Sequence, residues 1–325
     1  MLRLKSILII FYCLAVSFAA FGAGSSSCAE AFSRLTSLID SNRFETQRGI
    51  EEYIELFPDS FLVELAKLNK HQHWIDAGSG EGYASLDFFQ RSIDPERILA
   101  QAKASWFRGR VIHFDPGLLR QGLHLINTSS AREKPKVTAV TYHMEKKAKV
   151  SPEVEYKVGK FFEDISTSEF KPADLITDLF GVMSYSPQID VVLKQYHDIL
   201  KLQGKAYIYA GDFVDIPTYS GLFKKQTMGE RGWFSNFALS QVKRRDGSQI
   251  SLIDWISSLP GFESSLEERV LTQPPTQGVQ SGRVLRKTLI LKKTNLETKI
   301  PRLRLVESDD QKPPLRVFEE IDPFN

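Results

Sequence analysis

The stretch HWIDAGSGEGY, residues 73–83, decides the fold of this chain. A short apolar run ends in the carboxylate of Asp76, and three glycines then alternate with small or polar residues before a helical pattern begins. Glycines at Gly78 and Gly80 allow the backbone a positive φ and let its N–H groups approach a ligand. A helix that begins near Gly82 turns its positive end toward the same place. The stretch therefore predicts a ligand loop at the carboxyl end of a first parallel strand.

The spacing of the glycines selects among ligands. A dinucleotide fingerprint, G-x-G-x-x-G, would place its third glycine at position 83, where this chain has a tyrosine. The order D-x-G-x-G-x-G resembles motif I of the class I S-adenosylmethionine-dependent methyltransferases. The resemblance implies that S-adenosyl-L-methionine is the cofactor and that the strand-end acid helps fix its ammonium group. It also implies a set of cofactor-binding residues in this loop: Asp76, Gly78, Ser79, Gly80, Gly82 and Tyr83. A tight surface turn without a ligand is the alternative interpretation.

Two segments compete for the second strand of the predicted sheet. Residues 111–115 end in Asp115, whereas residues 137–142 lie closer to the next strand candidate, Val154–Val158. We prefer 137–142 for that reason. No acid closes this strand, and Glu145 is the nearest one. The resembled family has an acid there that binds the ribose, so the sequence departs from the family pattern at this position.

Two further strand ends carry acids in the predicted sheet. Gly159 is followed by Glu163 and Asp164, and the resemblance places such acids beside the adenine, although a solvated turn explains them equally well. Residues 173–181 form a buried-strand run that ends in Asp178. That run resembles motif IV, whose terminal acid lies next to the transferred methyl group. Asp178 is therefore both a cofactor-binding residue and the candidate catalytic residue.

The remaining pattern completes a doubly wound α/β sheet. A helix starts at Ser186 and ends at Gly204, and the next strand covers 205–210. Two more strands, 265–271 and 283–291, follow the insertion described below. Alternating strands and helices with such a closing pair predict a Rossmann-like methyltransferase sheet, with helices on both faces and a C-terminal antiparallel β-hairpin.

The chain divides into four predicted parts, of which the first, residues 1–24, is described in the next paragraph. Residues 25–73 form an N-terminal helical segment, 74–293 the methyltransferase-like domain, and 294–325 an extended tail that holds four prolines. Within the domain, the aromatic-rich insertion 212–248 follows the fifth strand and is expected to cover the acceptor side. Its adjacent Trp233 and Phe234 are the pair expected to wall the acceptor.

Residues 1–24 read as a signal peptide or an N-terminal anchor. Arg3 and Lys5 precede an apolar run over 7–21, and small residues follow it. We expect an exported protein, periplasmic or secreted, with a mature chain that begins near Ala23. An uncleaved membrane anchor is the alternative, although the run is shorter than the ~20 residues of a spanning helix.

Mass spectrometry of the native protein tests the predicted export, since an intact Met1 on a soluble cytosolic species would contradict it. Export also conflicts with a cofactor that is made in the cytosol.

Composition narrows the remaining chemistry. The formal net charge is +2, so there is no basic footprint for nucleic acid. Cys13 lies in the N-terminal apolar run and Cys28 stands alone, which supports neither a metal site nor a thiol nucleophile. The methyl acceptor, a small molecule or a protein, cannot be read from the residues. The candidate bases are Asp178, His143, His197 and Asp212, and His197 is expected at the surface.

Four functions fit these patterns to different degrees. The prediction is an S-adenosylmethionine-dependent methyltransferase that transfers a methyl group by in-line displacement. The main alternative is an exported, non-catalytic ligand-binding protein with a degenerate methyltransferase fold. A nicotinamide-dependent oxidoreductase is disfavoured by the third glycine. A polyamine-synthase-like aminopropyl transferase is disfavoured by the composition of the loop.

Overall fold

The computed structural model describes residues 48–90, 92–103, 111–131, 133–142, 149–215, 236–273, 282–308 and 315–321. All of them lie in one unit that spans residues 46–325. The described helices are α1 Ile50–Leu56, α2 Asp59–Lys67, α3 Tyr83–Gln90, α4 Pro95–Lys103, α5 Pro116–Thr128, α6 Val182–Tyr185, α7 Ile189–Ile199 and α8 Leu252–Ser257. The described strands are β1 His73–Ala77, β2 Val111–Ile112, β3 Lys136–Thr141, β4 Val154–Val158, β5 Ala173–Asp178, β6 Leu200–Asp215, β7 Gln241–Lys243, β8 Gln249–Ser251, β9 Phe262–Gln273, β10 Gly282–Lys293, β11 Arg302–Ser308 and β12 Arg316–Ile321.

The main sheet has eight strands in the order β2-β9-β10-β6-β5-β1-β3-β4. Strand β1 pairs in parallel with β3 on one side and with β5 on the other, so that Ile75 lies beside Thr138 and Ile176. The chain winds outward to β4, returns to β5, and then winds the other way to β6. Strand β10 runs antiparallel between β6 and β9. The predicted doubly wound sheet and its C-terminal hairpin are confirmed.

The choice of second strand is also confirmed, because 137–141 lie in β3 beside β1. The rival segment forms a two-residue strand, β2, at the far edge of the sheet. The burial of the two segments agrees with their places in the sheet. Strand β3, inside the sheet, is buried along almost its whole length, whereas Val111 in the edge strand β2 is half-buried.

Helices cover both faces of the main sheet, and β1 shows why its sequence is apolar throughout. Trp74 packs into a cluster with α1, α2, α3 and α5, whereas the next residue, Ile75, packs on the opposite face with α7. A parallel strand that is buried on both faces needs such a continuous apolar run. No helix within the described ranges is long and apolar enough to cross a membrane.

Helices α1 and α2, which lie in the second half of the predicted helical segment 25–73, pack on this sheet. Tyr53, Phe57 and Phe61 are fully buried in the same cluster as Trp74. Their rings contact one another and Tyr207 of β6. Residues 25–47 lie outside the described residues.

The predicted tail over 294–325 is wrong for two segments, because β11 and β12 belong to a second sheet in the order β11-β12-β7-β8. The β12–β7 pair is parallel and the other two pairs are antiparallel. Leu303 and Phe318 bury their side chains in the core beneath α7. The prolines flank these strands and do not interrupt them. Part of the predicted insertion therefore builds this sheet, while residues 216–235 lie outside the description.

Candidate functional site

The topological switch point of the main sheet lies between β1 and β5. The connection from β1 leads toward β3 and β4, and the connection from β5 leads toward β6, so the loops that follow β1 and β5 diverge. Open α/β sheets bind their ligands in the crevice outside such a point, at the carboxyl ends of the strands. The sequence placed its glycine loop and Asp178 at these two ends, and the structure brings them together.

Gly78 and Gly80 adopt the positive φ that the sequence predicted, and Gly82 has a positive φ as well. Gly78, Gly80 and Gly82 have φ values of 74°, 59° and 75°. Residues other than glycine rarely adopt this left-handed region of φ and ψ. The N–H groups of Gly78 and Ser79 both donate to the carbonyl oxygen of Val140 in β3, at 3.1 and 2.9 Å. These two groups fix the loop to the sheet, so the predicted approach of backbone N–H groups to a ligand does not extend to them.

The loops after β1 and β5 touch through glycines. A Cβ placed on Gly78 would lie 2.4 Å from the Cα of Gly181, and one on Gly181 would lie 2.4 Å from the carbonyl oxygen of Ala77. A third approach involves Gly82, whose added Cβ would meet the ring of Tyr156 at 2.8 Å. Position 78 is thus restricted to glycine by space as well as by φ.

Asp76 is enclosed by other side chains. It is fully buried, and its carboxylate accepts hydrogen bonds from the Tyr53 hydroxyl at 2.8 and 3.0 Å and from the Thr177 hydroxyl at 2.9 Å. Burial raises the pKa of Asp76 to about 6, against the opposing effect of these hydroxyls and of the Arg48 charge. Asp76 therefore sits at the predicted place, and both of its oxygens already accept hydrogen bonds from hydroxyls of α1 and β5.

The raised pKa of Asp76 predicts how stability depends on pH. Because the folded state holds this proton more tightly than the unfolded chain, the contribution of Asp76 is full below about pH 4 and is lost as the pH rises through about 6. The neutral Asp76→Asn variant escapes this loss, and its carbonyl oxygen can still accept from Tyr53 and Thr177. Relative to wild type, we expect its free energy of unfolding to rise by about 2 kcal/mol between pH 4.5 and 7.5, measured by urea denaturation.

Asp246→Asn is the matched control for this prediction. Hydrogen bonds from Ser248 lower the pKa of Asp246 in an exposed turn. Its contribution is lost only as the pH falls below about 4, so between pH 4.5 and 7.5 the stability of the control relative to wild type should change little, and in the opposite sense. A stability difference for Asp76→Asn that does not vary with pH would contradict the enclosed, proton-holding carboxyl.

Asp178 is fully engaged as well. One carboxylate oxygen accepts from the N–H of Gly181 at 2.9 Å. The other accepts from the N–H of Met183 at 2.8 Å and from the Tyr196 hydroxyl at 2.7 Å. Burial raises the pKa of Asp178 to about 6, and the hydroxyl of Tyr196 opposes that shift most strongly. The carboxylate thus caps the amino end of α6, a role that the sequence did not predict.

A buried arginine lies beside both strand-end acids. Arg48 is 9% exposed, and its charge lowers the pKa of Asp76 and of Asp178. Its guanidinium carbon lies 5.3 Å from the ring centre of Phe180, which follows β5 with a left-handed φ of 51°. Phe180 in turn packs against the ring of Tyr209 at 4.4 Å. The Nε of Arg48 has no hydrogen-bond partner in the described part of the chain.

Near the glycine loop, two more buried polar atoms have no hydrogen-bond partner among the residues that the structure describes. They are Oε1 of Glu81, in the loop itself, and Oγ of Ser85, in the first turn of α3. Both residues are at most 2% exposed. Buried polar groups are normally hydrogen-bonded, so such atoms within one loop and helix start indicate a place for a polar ligand or ordered water. Tyr83, predicted to bind the cofactor, begins α3 and is half-buried.

The acids predicted beside the adenine follow β4 on a short 3₁₀ helix. Oε1 of Glu163 accepts a hydrogen bond from the Ser186 hydroxyl at 2.7 Å, whereas Asp164 is exposed. At the end of β3, where the resembled family has a ribose-binding acid, Tyr142 stands instead. It is 40% exposed and stacks on Phe161, with ring centres 4.6 Å apart.

Neither of the other two candidate bases that the structure describes, His197 and Asp212, is free at this site. His197 is fully buried at the end of α7, by the amino end of β6, so its predicted surface position is wrong. Asp212 pairs with the buried guanidinium of Arg286 at 2.9 and 3.2 Å and accepts from the Tyr209 hydroxyl. His143 and the predicted acceptor wall at 233–234 lie outside the described residues. No group of three His, Cys, Asp or Glu side chains in the described ranges could hold a metal ion.

Comparison with known proteins returns structural similarity only. No family model and no curated protein matches the sequence. The chain is similar to a precorrin-6y C5,15-methyltransferase from Geobacter metallireducens, at 12% identity and a TM-score of 0.32, over 72% of this chain and 86% of that one. It is also similar to phosphoethanolamine N-methyltransferase 2 of Haemonchus contortus with S-adenosylhomocysteine bound. That match has 13% identity and a TM-score of 0.35, over 73% of this chain and 52% of that one. A third match is an S-adenosylmethionine-dependent O-methyltransferase from Thermotoga maritima, at 11% identity and a TM-score of 0.28, over 74% of this chain and 66% of that one.

This chain spans about half the length of several structures that it matches, the Haemonchus enzyme among them. At these TM-scores the fold assignment depends on the strand order and register of the sheet itself.

Proposed function

We propose that the carboxyl edge of the main sheet binds S-adenosylmethionine and that the protein transfers its methyl group to an acceptor. The observation that carries the proposal is the glycine loop: three left-handed glycines lie at the switch point of a doubly wound sheet, beside buried polar atoms that have no partner in the described part of the chain. The motif resemblance of residues 73–83 and 173–181 supports the same ligand. The fold alone would not, since one fold serves many reactions.

The residues present fit an amino-acid ligand end at this edge. Among the described residues, Arg48 has an unused donor, and Glu81 and Ser85 have a carboxylate oxygen and a hydroxyl without partners. A ligand that carries both an ammonium and a carboxylate group can satisfy donors and acceptors of this kind. Asp76 and Asp178 would contribute through their charge, since their oxygens are occupied. Tyr142 would offer apolar surface to the adenosyl end in place of a ribose-binding acid.

The bound sulfonium would supply an already activated methyl group. The chain itself must hold the acceptor in line and exclude water. Phe180, which is half-buried and packs against the buried ring of Tyr209, offers apolar surface next to Arg48 at this edge and is the residue that we assign to the acceptor side. Asp178 keeps α6 and Gly181 in place and does not act as a free base, because three donors occupy its oxygens. This arrangement favours catalysis by positioning over catalysis by proton transfer.

A non-catalytic ligand-binding protein is the second candidate. The engagement of both strand-end carboxylates and the absence of an acid at the end of β3 favour it. Labelled methyl transfer separates the two: the wild-type protein and cell-envelope fractions would be incubated with methyl-tritiated S-adenosylmethionine. A methyltransferase labels an acceptor, whereas a binding protein retains the label as intact cofactor.

Calorimetry tests the proposed ligand. We expect the wild-type protein to bind S-adenosylmethionine and S-adenosylhomocysteine and not to bind NAD. Replacing Arg48 by methionine removes a charge-assisted hydrogen bond, so Arg48→Met should weaken both affinities about tenfold or more. Arg120→Met, which breaks only an exposed ion pair with Glu96 on the surface, should bind as wild type does. Binding of NAD alone, or of neither sulfur compound, would overturn the proposal.

The acceptor and the location of the protein stay predictions. The acceptor is a small molecule or a protein, and no nucleic acid is expected from the net charge of +2. Export rests on the N-terminal apolar run at 7–21. Residues 1–47 lie outside the described residues.

A further inference from the structure

The short helix α6 is held at both ends by buried charges. At its amino end the Asp178 carboxylate accepts from the N–H groups of Gly181 and Met183. At its carboxyl end the Arg316 guanidinium donates to the carbonyl oxygen of Met183 at 2.7 Å and to that of Ser186. An anion at the start of a helix and a cation at its end both complement the peptide dipoles.

Arg316 reaches α6 from the second sheet. It is the first residue of β12, and its backbone N–H donates to the Ser240 hydroxyl at 3.3 Å. The carbonyl oxygen of Ser240 accepts from the N–H of Leu252 at 2.7 Å, which ties the same point to α8. The guanidinium carbon lies 5.4 Å from the ring centre of Phe318. The base of the side chain is therefore anchored independently of α6.

The environment of the guanidinium is unusual for an arginine. Arg316 is 1% exposed, and no carboxylate lies within ion-pair distance of it in the ranges that the structure describes. Burial lowers the pKa of Arg316 to about 10, with Asp178 and Tyr185 acting in the other direction, so the group is cationic at neutral pH. Burying a cation without a paired carboxylate is costly unless its hydrogens are used. The carbonyl oxygens of Met183 and Ser186 use one N–H of each terminal nitrogen, whereas Nε has no partner among the described residues.

We propose that Arg316 is a positioning residue for the cofactor site. It fixes α6 and with it Gly181, whose Cα packs against Gly78 so closely that an added Cβ at position 78 would lie 2.4 Å away. A displacement of α6 would therefore displace the glycine loop. This inference rests on the proposed function, since it assigns the second sheet a role in binding S-adenosylmethionine at that loop.

The experiment compares three full-length variants. Arg316→Met keeps the length of the aliphatic stem and removes every donor. Arg316→Lys keeps one cation, which can reach a single carbonyl oxygen. Arg304→Met is the matched control, because the exposed Arg304 lies in the same small sheet and pairs only with the half-buried Glu319 among the described residues. Hydrogen exchange of residues 181–186 is measured in the protein without ligand, and affinity for S-adenosylmethionine is measured by calorimetry.

We expect faster exchange at 181–186 and about tenfold weaker binding for Arg316→Met, a smaller change for Arg316→Lys, and no change for Arg304→Met. Unchanged exchange at α6 in Arg316→Met would overturn the inference. Equal acceleration across β7, β12 and α6 would also overturn it, because Arg316 would then be a general structural residue. If Arg316→Met does not fold, the hydrogen exchange of residues 181–186 and the affinity for S-adenosylmethionine are measured in Arg316→Lys and test the inference in its place. A wild-type protein that does not bind the cofactor refutes the proposed function, and the exchange measurement still tests Arg316.

Discussion

Gly78→Ala is expected to destabilise the protein by about 3 kcal/mol or more and to abolish cofactor binding. The backbone of Gly78 has a φ of 74°, which costs an L-residue about 1–2 kcal/mol. The added Cβ would also lie 2.4 Å from the Cα of Gly181 and 3.2 Å from the backbone N of Val182. These neighbours are backbone atoms and cannot rotate away, so overpacking adds about 1–3 kcal/mol. Urea denaturation measures the sum.

Gly159→Ala is the control that separates the two contributions. Gly159 has a similar φ of 85°, and nothing lies within 4 Å of its added Cβ. Only the conformational cost of about 1–2 kcal/mol is expected there. Equal losses for the two variants would mean that the loops after β1 and β5 do not touch as described.

Asp178→Ala is expected to cost about 4 kcal/mol. The substitution leaves three buried donors without their acceptor, the N–H groups of Gly181 and Met183 and the hydroxyl of Tyr196. Each unsatisfied buried group costs about 1–3 kcal/mol, which outweighs the relief of removing a desolvated carboxylate. The free energy of unfolding at pH 7.5 measures the effect.

Two further variants of acids sharpen this expectation. Asp178→Asn keeps one carbonyl oxygen that can serve two of the three donors, so it should lose less than Asp178→Ala. Asp164→Ala removes an exposed acid near the predicted adenine position and should leave stability nearly unchanged. A stable Asp178→Ala protein that binds cofactor but has lost turnover would contradict the capping role and restore Asp178 as a catalytic group.

The parts of the fold that the sequence predicted share one property: their signal is local. Strand β1 is a continuous apolar run that ends at Asp76. The glycines that follow have a positive φ, which glycine adopts more readily than any other residue. Strand β5 ends at Asp178 as predicted. Helix α5 was missed although Asp115 caps it and Pro116 starts it, a signature that the competing strand assignment for 111–115 obscured.

The site chemistry was harder to predict because its partners are distant in sequence. Tyr53 and Thr177, which occupy the carboxylate of Asp76, lie 23 and 101 residues away from it. Arg316 binds carbonyl oxygens 130 and 133 residues away, and carbonyl groups carry no sequence signal. Arg48 stands in a helical pattern where a surface arginine is the ordinary expectation. The motif therefore indicated a candidate site at the strand ends but could not show which of its acids already accept hydrogen bonds within the protein.

A crystal structure of the protein with S-adenosylhomocysteine tests the central claim most directly. The account predicts that the ligand lies outside the carboxyl ends of β1 and β5, with its amino-acid end beside the glycine loop and within hydrogen-bond distance of Arg48. Ligand bound at another edge of the sheet, or a vacant loop at saturating S-adenosylhomocysteine, would contradict it.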